Sequence, residues 1–227
     1  MKKWKLLLLG GVYVASIVVI MPILLLLFML IFDVHSIADV TESATIMTWV
    51  TFTHFALVTA FFCIFLRKFF IAEFKAIKSV KWFLGWTFGG WGLVLVGALI
   101  SSIILGFISG DGYDATAMNQ QLIENLTTSY PLLMFVSAVI LAPIIEEVIF
   151  RLVLMNLFKA PDWVNILFSS LAFGLMHVLS GDFIFLIAYM MMGIPFGFVY
   201  AKTKNLWIVI VMHILQNLFA TLIMLLF

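Results

Sequence analysis

Long apolar runs, separated by short polar stretches, dominate the chain. They cover about 6–32, 46–66, 83–108, 131–155, 163–180, 183–201 and 206–227. A helix needs about 20 consecutive apolar residues to cross the hydrocarbon of a bilayer, so the pattern predicts about seven membrane-spanning helices. The runs 6–32 and 83–108 are longer than that, which implies tilt or extension into the interface. Only "SGD" divides the fifth run from the sixth. Pro22, Pro143 and Pro195 lie inside runs, where each removes a backbone hydrogen bond and predicts a kink. The opening "MKKWKLLLLGGVYVAS" imitates a secretory signal. Its apolar stretch from Leu6 to Phe32 outruns the roughly 7–15 residues of a signal core, so it reads as a retained first helix. The expected fold class is all-α, a polytopic membrane helix bundle.

Composition supports that reading. Of 227 residues, 65% are hydrophobic and 10% charged, with a mean hydropathy of +1.25. Soluble domains carry about a quarter charged residues, so the solvent of this chain is the lipid bilayer. A net charge of +1 gives no footing for a nucleic-acid partner. One cysteine, Cys63, excludes an intramolecular disulfide. Charge distribution adds orientation through the positive-inside rule. With the N-terminus in the cytoplasm, all 12 Lys and Arg residues fall in inner segments. The outer segments then hold Asp33, Asp39, Glu42, Asp111, Asp114, Glu124 and Asp182. The inner stretch "RKFFIAEFKAIKSVKWF" mixes aromatics with lysines, as an interfacial amphipathic helix or a basic topology anchor does. The pairs Gly85/Gly89 and Gly193/Gly197 fit small-residue helix packing.

Ionisable side chains inside a membrane are costly and mark functional sites by default. Glu146, Glu147 and Arg151 lie in the fourth run, His177 in the fifth, and His213 and Asn217 in the seventh. Glu147 and Arg151 are i,i+4, so they share a helix face and can pair. Glu146 is turned about 100° from Glu147 and has no basic partner in its own helix. His213 and Asn217 are likewise i,i+4, as are Phe173 and His177. His54, beside three threonines in "TWVTFTHF", reads as a packing residue. Ser169, Ser170 and Ser180 read as packing or capping residues of the fifth helix.

One carboxylate, two imidazoles and one carboxamide form a set with recognisable chemistry. The carboxylate is suited to take a proton from water, histidine to orient that water or donate a proton, and Asn to bind an oxyanion. Glu146, His177 and His213 are also the ligand types of an open zinc site, although there is no HExxH. The competing reading is structural: a Glu147–Arg151 pair that locks helix packing and histidines satisfied in a core.

"EEVIFR" (146–151), "FGLMH" (173–177) and "HILQN" (213–217) resemble the motifs EExxxR, FxxxH and HxxxN of the CPBP family of intramembrane proteases. That family includes the CAAX prenyl endopeptidases and the bacteriocin-processing and immunity (Abi-like) proteins. The resemblance covers about residues 120–220. It divides the chain into N-terminal membrane helices without motif, 1–110, and a catalytic core of four helices, 111–227. It implies a glutamate-dependent endopeptidase in which Glu146 and His177 activate water and His213 and Asn217 form the oxyanion hole. Glu147, Arg151 and Phe173 would support the site. Leu152 stands where many relatives have glycine. The implied partner is a peptide or membrane-anchored protein, and the implied setting a bacterial cytoplasmic membrane, crossed many times. The other readings are a non-catalytic protein giving immunity by binding a bacteriocin, and a small proton-coupled transporter with the Glu/His cluster as its relay.

Overall fold

The structure, a computed structural model, describes residues 1–36, 43–109, 118–179 and 181–226. Asp39, Glu42, Asp111, Asp114 and Ser180, and the expected boundary between 110 and 111, lie outside the described residues. Nine helices carry the described chain: α1 (Lys3–Ile31), α2 (Ala44–Phe65), α3 (Arg67–Lys75), α4 (Val80–Ser109), α5 (Met118–Ser129), α6 (Pro131–Leu157), α7 (Asp162–His177), α8 (Leu186–Thr203) and α9 (Leu206–Leu226). The protein is a multi-pass integral membrane protein. Large apolar side chains on its perimeter, such as Leu30, Ile64 and Phe107, are 77–86% exposed, as lipid-facing residues should be.

Among the described residues, six helices are long and apolar enough to cross a membrane: α1, α2, α4, α6, α9, and α8 with its leading 3₁₀ turn. This corrects the expected seven. The run 163–180 yields α7, which has only 16 residues. At 1.5 Å per residue it is about 24 Å long, short of the ~30 Å hydrocarbon. Its apolar composition continues beyond the helix, but helical backbone stops at His177, and Gly181 adopts a φ of +114°. The chain then reverses through the 3₁₀ turn Phe183–Phe185 into α8. Helices α7 and α8 pack antiparallel, with Gly193 against Ser170 and Gly197 against Ile166, and with Lys204 near Asp162 at one end.

Two of the three prolines sit beyond a widened turn. The segment Ser16–Ile20 precedes Pro22, and Val136–Leu141 precedes Pro143. A third wide segment, Val148–Leu154, follows Glu147. Such turns hold one extra residue and release carbonyls from the regular ladder, and in a membrane those carbonyls need other donors. Side chains provide them. Asn217 donates to the Ala138 carbonyl, Ser169 to that of Phe150, and Asn156 to those of Arg151 and Leu152.

The basic stretch after α2 becomes α3, which is tied to the start of α9. Asn205 donates to the Glu73 carbonyl, Trp207 to that of Phe70, and the Leu206 amide to the Glu73 carboxylate at 2.8 Å. Burial raises the Glu73 carboxyl above its usual value, opposed by that amide.

The glycines divide unexpectedly. A Cβ on Gly85 or Gly89 would meet nothing within 4 Å, so that pair faces open space rather than a helix. The close approaches of α4 are at Gly90 and Gly97, where a Cβ would lie 2.6 Å from Met212 Sδ and from the Met191 carbonyl oxygen. Gly97→Ala should therefore destabilise by about 1–3 kcal/mol, the usual cost of overpacking, because backbone cannot swing aside. Gly85→Ala should be neutral or slightly stabilising through helix propensity. Thermal unfolding of the two variants in one detergent compares them directly.

Candidate active site

Helix α6 is the best-buried of the spans and the centre of the core. Ile145, Val148, Ile149 and Phe150 pack there with Leu9 of α1, Phe62 of α2, Phe173 of α7, Phe196 of α8 and Met212 of α9. The motif residues of α6 therefore face protein on several sides.

Glu147 and Arg151 meet as their spacing predicts, Oε2 to Nε at 3.1 Å, and both are fully buried. An isolated buried ion pair seldom recovers its desolvation cost without further partners. Here the partners come from other helices. Glu147 Oε1 accepts from His213 Nδ1 at 2.8 Å. Arg151 Nη1 donates to the Ser169 hydroxyl, which in turn donates to the Phe150 carbonyl. The guanidinium also lies over the rings of Phe173 and Phe196, 5.5 and 5.7 Å from their centroids. Those π faces attract a desolvated cation, whose Nη2 is buried without a hydrogen-bond partner.

Glu146 is arranged differently. Its Oε2 stands 3.8 Å from His177 Nε2 and 3.7 Å from His213 Nε2. These separations exceed a hydrogen bond, and Oε2 is a buried acceptor without a partner. His177 Nδ1 donates to the Phe173 carbonyl at 2.8 Å, and His213 Nδ1 to Glu147. Each imidazole thus presents Nε2 to Glu146. The geometry collects a carboxylate oxygen and two imidazole nitrogens around a gap that is too wide for direct bonds and suited to a bridging water.

The structure brings together Glu146, Glu147, Arg151, Phe173, His177 and His213. Asn217 lies one turn along α9 from His213, and its amide is engaged with the Ala138 carbonyl at 2.8 Å. One of its two N–H groups therefore fastens α9 to α6. Glu146, His177 and His213 have the ligand types of a zinc site. Among the described residues, however, no three His, Cys, Asp or Glu side chains form a group that could hold a metal ion, and no step below is routed through one. His54 is buried, donating from Nε2 to the Ser16 hydroxyl at 3.0 Å, remote from this chemistry.

Three features were not legible from spacing. Glu147 orients His213 as well as pairing with Arg151. Ser169, expected only to pack or cap, anchors the guanidinium. Tyr189 and Phe196 of α8, outside all three motifs, stack on His177 and His213 at 4.5 and 4.8 Å. A 7-residue separation was the only available signal, since it puts both rings on one helix face.

Residues 128–219 match the family model for the type II CAAX prenyl endopeptidase Rce1-like proteins. That segment holds Glu146, Arg151, His177, His213 and Asn217. Over those residues the chain is similar to that family. The resemblance drawn from the three motifs is thereby borne out. Among curated proteins, the chain is 32% identical over 142 residues to "Putative membrane peptidase YdiL" of Bacillus subtilis (strain 168), covering 62% of this chain and 56% of the relative. It is 32% identical over 162 residues to "Membrane-embedded CAAX protease MroQ" of Staphylococcus aureus (strain USA300), covering 68% and 63%. It thus spans about three fifths of the length of either relative. No solved structure gives a significant match.

Proposed function

We propose that this Rce1-like protein is an intramembrane endopeptidase that hydrolyses a peptide bond with Glu146 as general base. The observation that carries the proposal is the partnerless Glu146 Oε2 held 3.7–3.8 Å from two imidazole nitrogens. Glu147, by contrast, accepts at Oε1 from His213 Nδ1 and has Oε2 ion-paired with Arg151 Nε at 3.1 Å. Glu146 instead has an acceptor to spare, directed at the two histidines.

A water in that gap gives a proton to Glu146, and its oxygen adds to the scissile carbonyl. His177, bonded through Nδ1 to a carbonyl, keeps its Nε2 lone pair and holds the second water hydrogen. His213, in the doubly protonated form that donates Nδ1–H to Glu147, turns its Nε2–H towards the developing oxyanion, where preorganised donors act most strongly. The second amide hydrogen of Asn217 assists there. The proton on Glu146 passes to the leaving nitrogen as the tetrahedral intermediate collapses. Glu147 and Arg151 never touch the substrate; they fix the His213 ring.

The substrate class follows from the setting: a peptide or membrane-anchored protein reaching the bundle from the bilayer or its inner face. The motifs' family resemblance extends this to processing of, or self-immunity against, a secreted peptide. The test is the full chain, purified and reconstituted in liposomes, against a panel of leader peptides. Cleavage that needs both Glu146 and His177 supports the proposal. Cleavage that survives Glu146→Gln or His177→Ala overturns it. In producing cells, protection retained by Glu146→Gln would favour the binding-protein reading.

A further inference from the structure

We infer that helix α8 is a positioning element for the two histidines, with Tyr189 and Phe196 acting as clamps on His177 and His213. The inference rests on the proposed endopeptidase site and adds two positioning residues outside its three motifs.

Each imidazole has one hydrogen bond through Nδ1. A single bond at one corner fixes neither the ring plane nor which edge faces the glutamate, because the ring can still swing about its side-chain torsions. Planarity is imposed by aromatic faces. His177 lies between Phe173, with centroids 4.4 Å apart at 40°, and Tyr189, 4.5 Å apart at 26°. His213 stacks on Phe196 at 4.8 Å and 26°, with the edge of Phe173 at 5.8 Å. Phe173 thus separates the two rings, and α8 closes the outer side of both.

The spacing makes this one device rather than two coincidences. Residues 189 and 196 are two helical turns apart on one face of α8. That face is held against α7 by glycines, since a Cβ on Gly193 would come within 3.0 Å of Ser170 and one on Gly197 within 3.2 Å of Ile166. The backbone at 189 and 196 therefore cannot move away from α7 without separating the two helices.

A positioning role differs from simple core packing in what it changes. Misplacing a reacting group by about 1 Å costs far more in rate than in binding. Tyr189→Leu should lower kcat about tenfold with KM within about twofold of wild type, and Tyr189→Phe, which keeps the ring, should restore kcat. The accompanying readout needs no substrate. In protein labelled at the His ring carbons, the ring current of Tyr189 shifts the His177 signals. Tyr189→Leu should move the His177 resonances and leave those of His54 in place, whereas Tyr189→Phe should leave both near wild type. His177 signals unmoved in Tyr189→Leu would overturn the clamp whether or not a substrate is known. So would a Tyr189→Phe variant as impaired as Tyr189→Leu. Clamped signals in a protein that cleaves nothing would instead count against the protease reading alone.

Discussion

Glu146→Gln is expected to lower kcat/KM by about 10²–10⁴-fold, the usual range for loss of a general base, without lowering the melting temperature. Gln has the shape of Glu and keeps one acceptor oxygen, but it cannot take a proton from water. The fold loses nothing, because Glu146 Oε2 has no hydrogen-bond partner to forfeit and its side chain is 18% exposed. Removing a charge from an apolar site can even raise stability slightly. Steady-state cleavage and a melting curve, taken on one preparation in detergent, test both halves. A variant that both unfolds early and loses activity would show Glu146 to be a structural residue.

Its neighbour should behave in the opposite sense. Glu147→Gln leaves Arg151 charged, fully buried and without its carboxylate, an arrangement that costs about 3–5 kcal/mol. For a chain of this size each kcal/mol corresponds to roughly 2–4 °C, so a fall of ten degrees or so is expected. Activity falls too, since His213 loses the anion that holds Nδ1 at 2.8 Å. The double variant Glu147→Gln/Arg151→Met removes both charges and should recover most of the melting temperature. It should recover little of the rate, because the amide of Gln binds an imidazole less strongly than a carboxylate does. Recovery of both would place Glu147 outside the orientation of His213.

What could be read from the sequence followed from composition and local spacing. The bundle is evident in the apolar runs, and the Glu147–Arg151 contact in an i,i+4 interval. The link from Glu147 to His213 joins residues 66 apart, and no interval along the chain encodes it. Helix α7 was overestimated because lipid-compatible composition continues through Leu179, whereas its end is set by backbone conformation near Gly181. Gly85/Gly89 and Gly90/Gly97 look alike in sequence, yet only the second pair meets a neighbouring helix. Whether a glycine is covered depends on which face of α4 reaches α8 and α9, which composition does not report. The aromatics of α8 resemble lipid-facing residues for the same reason.

The widened turns of α6 bear on how relatives are aligned. A helical wheel drawn straight through 131–157 puts its faces out of phase on either side of 136–141, because that segment has room for one residue beyond a regular helix. A relative lacking one residue there need not lack any part of the site. It would have a regular helix whose downstream face is rotated by about 100° relative to the upstream one. A single-residue gap just before EExxxR is therefore best scored as a change of phase, with the counting restarted at Ala142, and the carbonyl that Asn217 caps shows which phase a given chain has adopted.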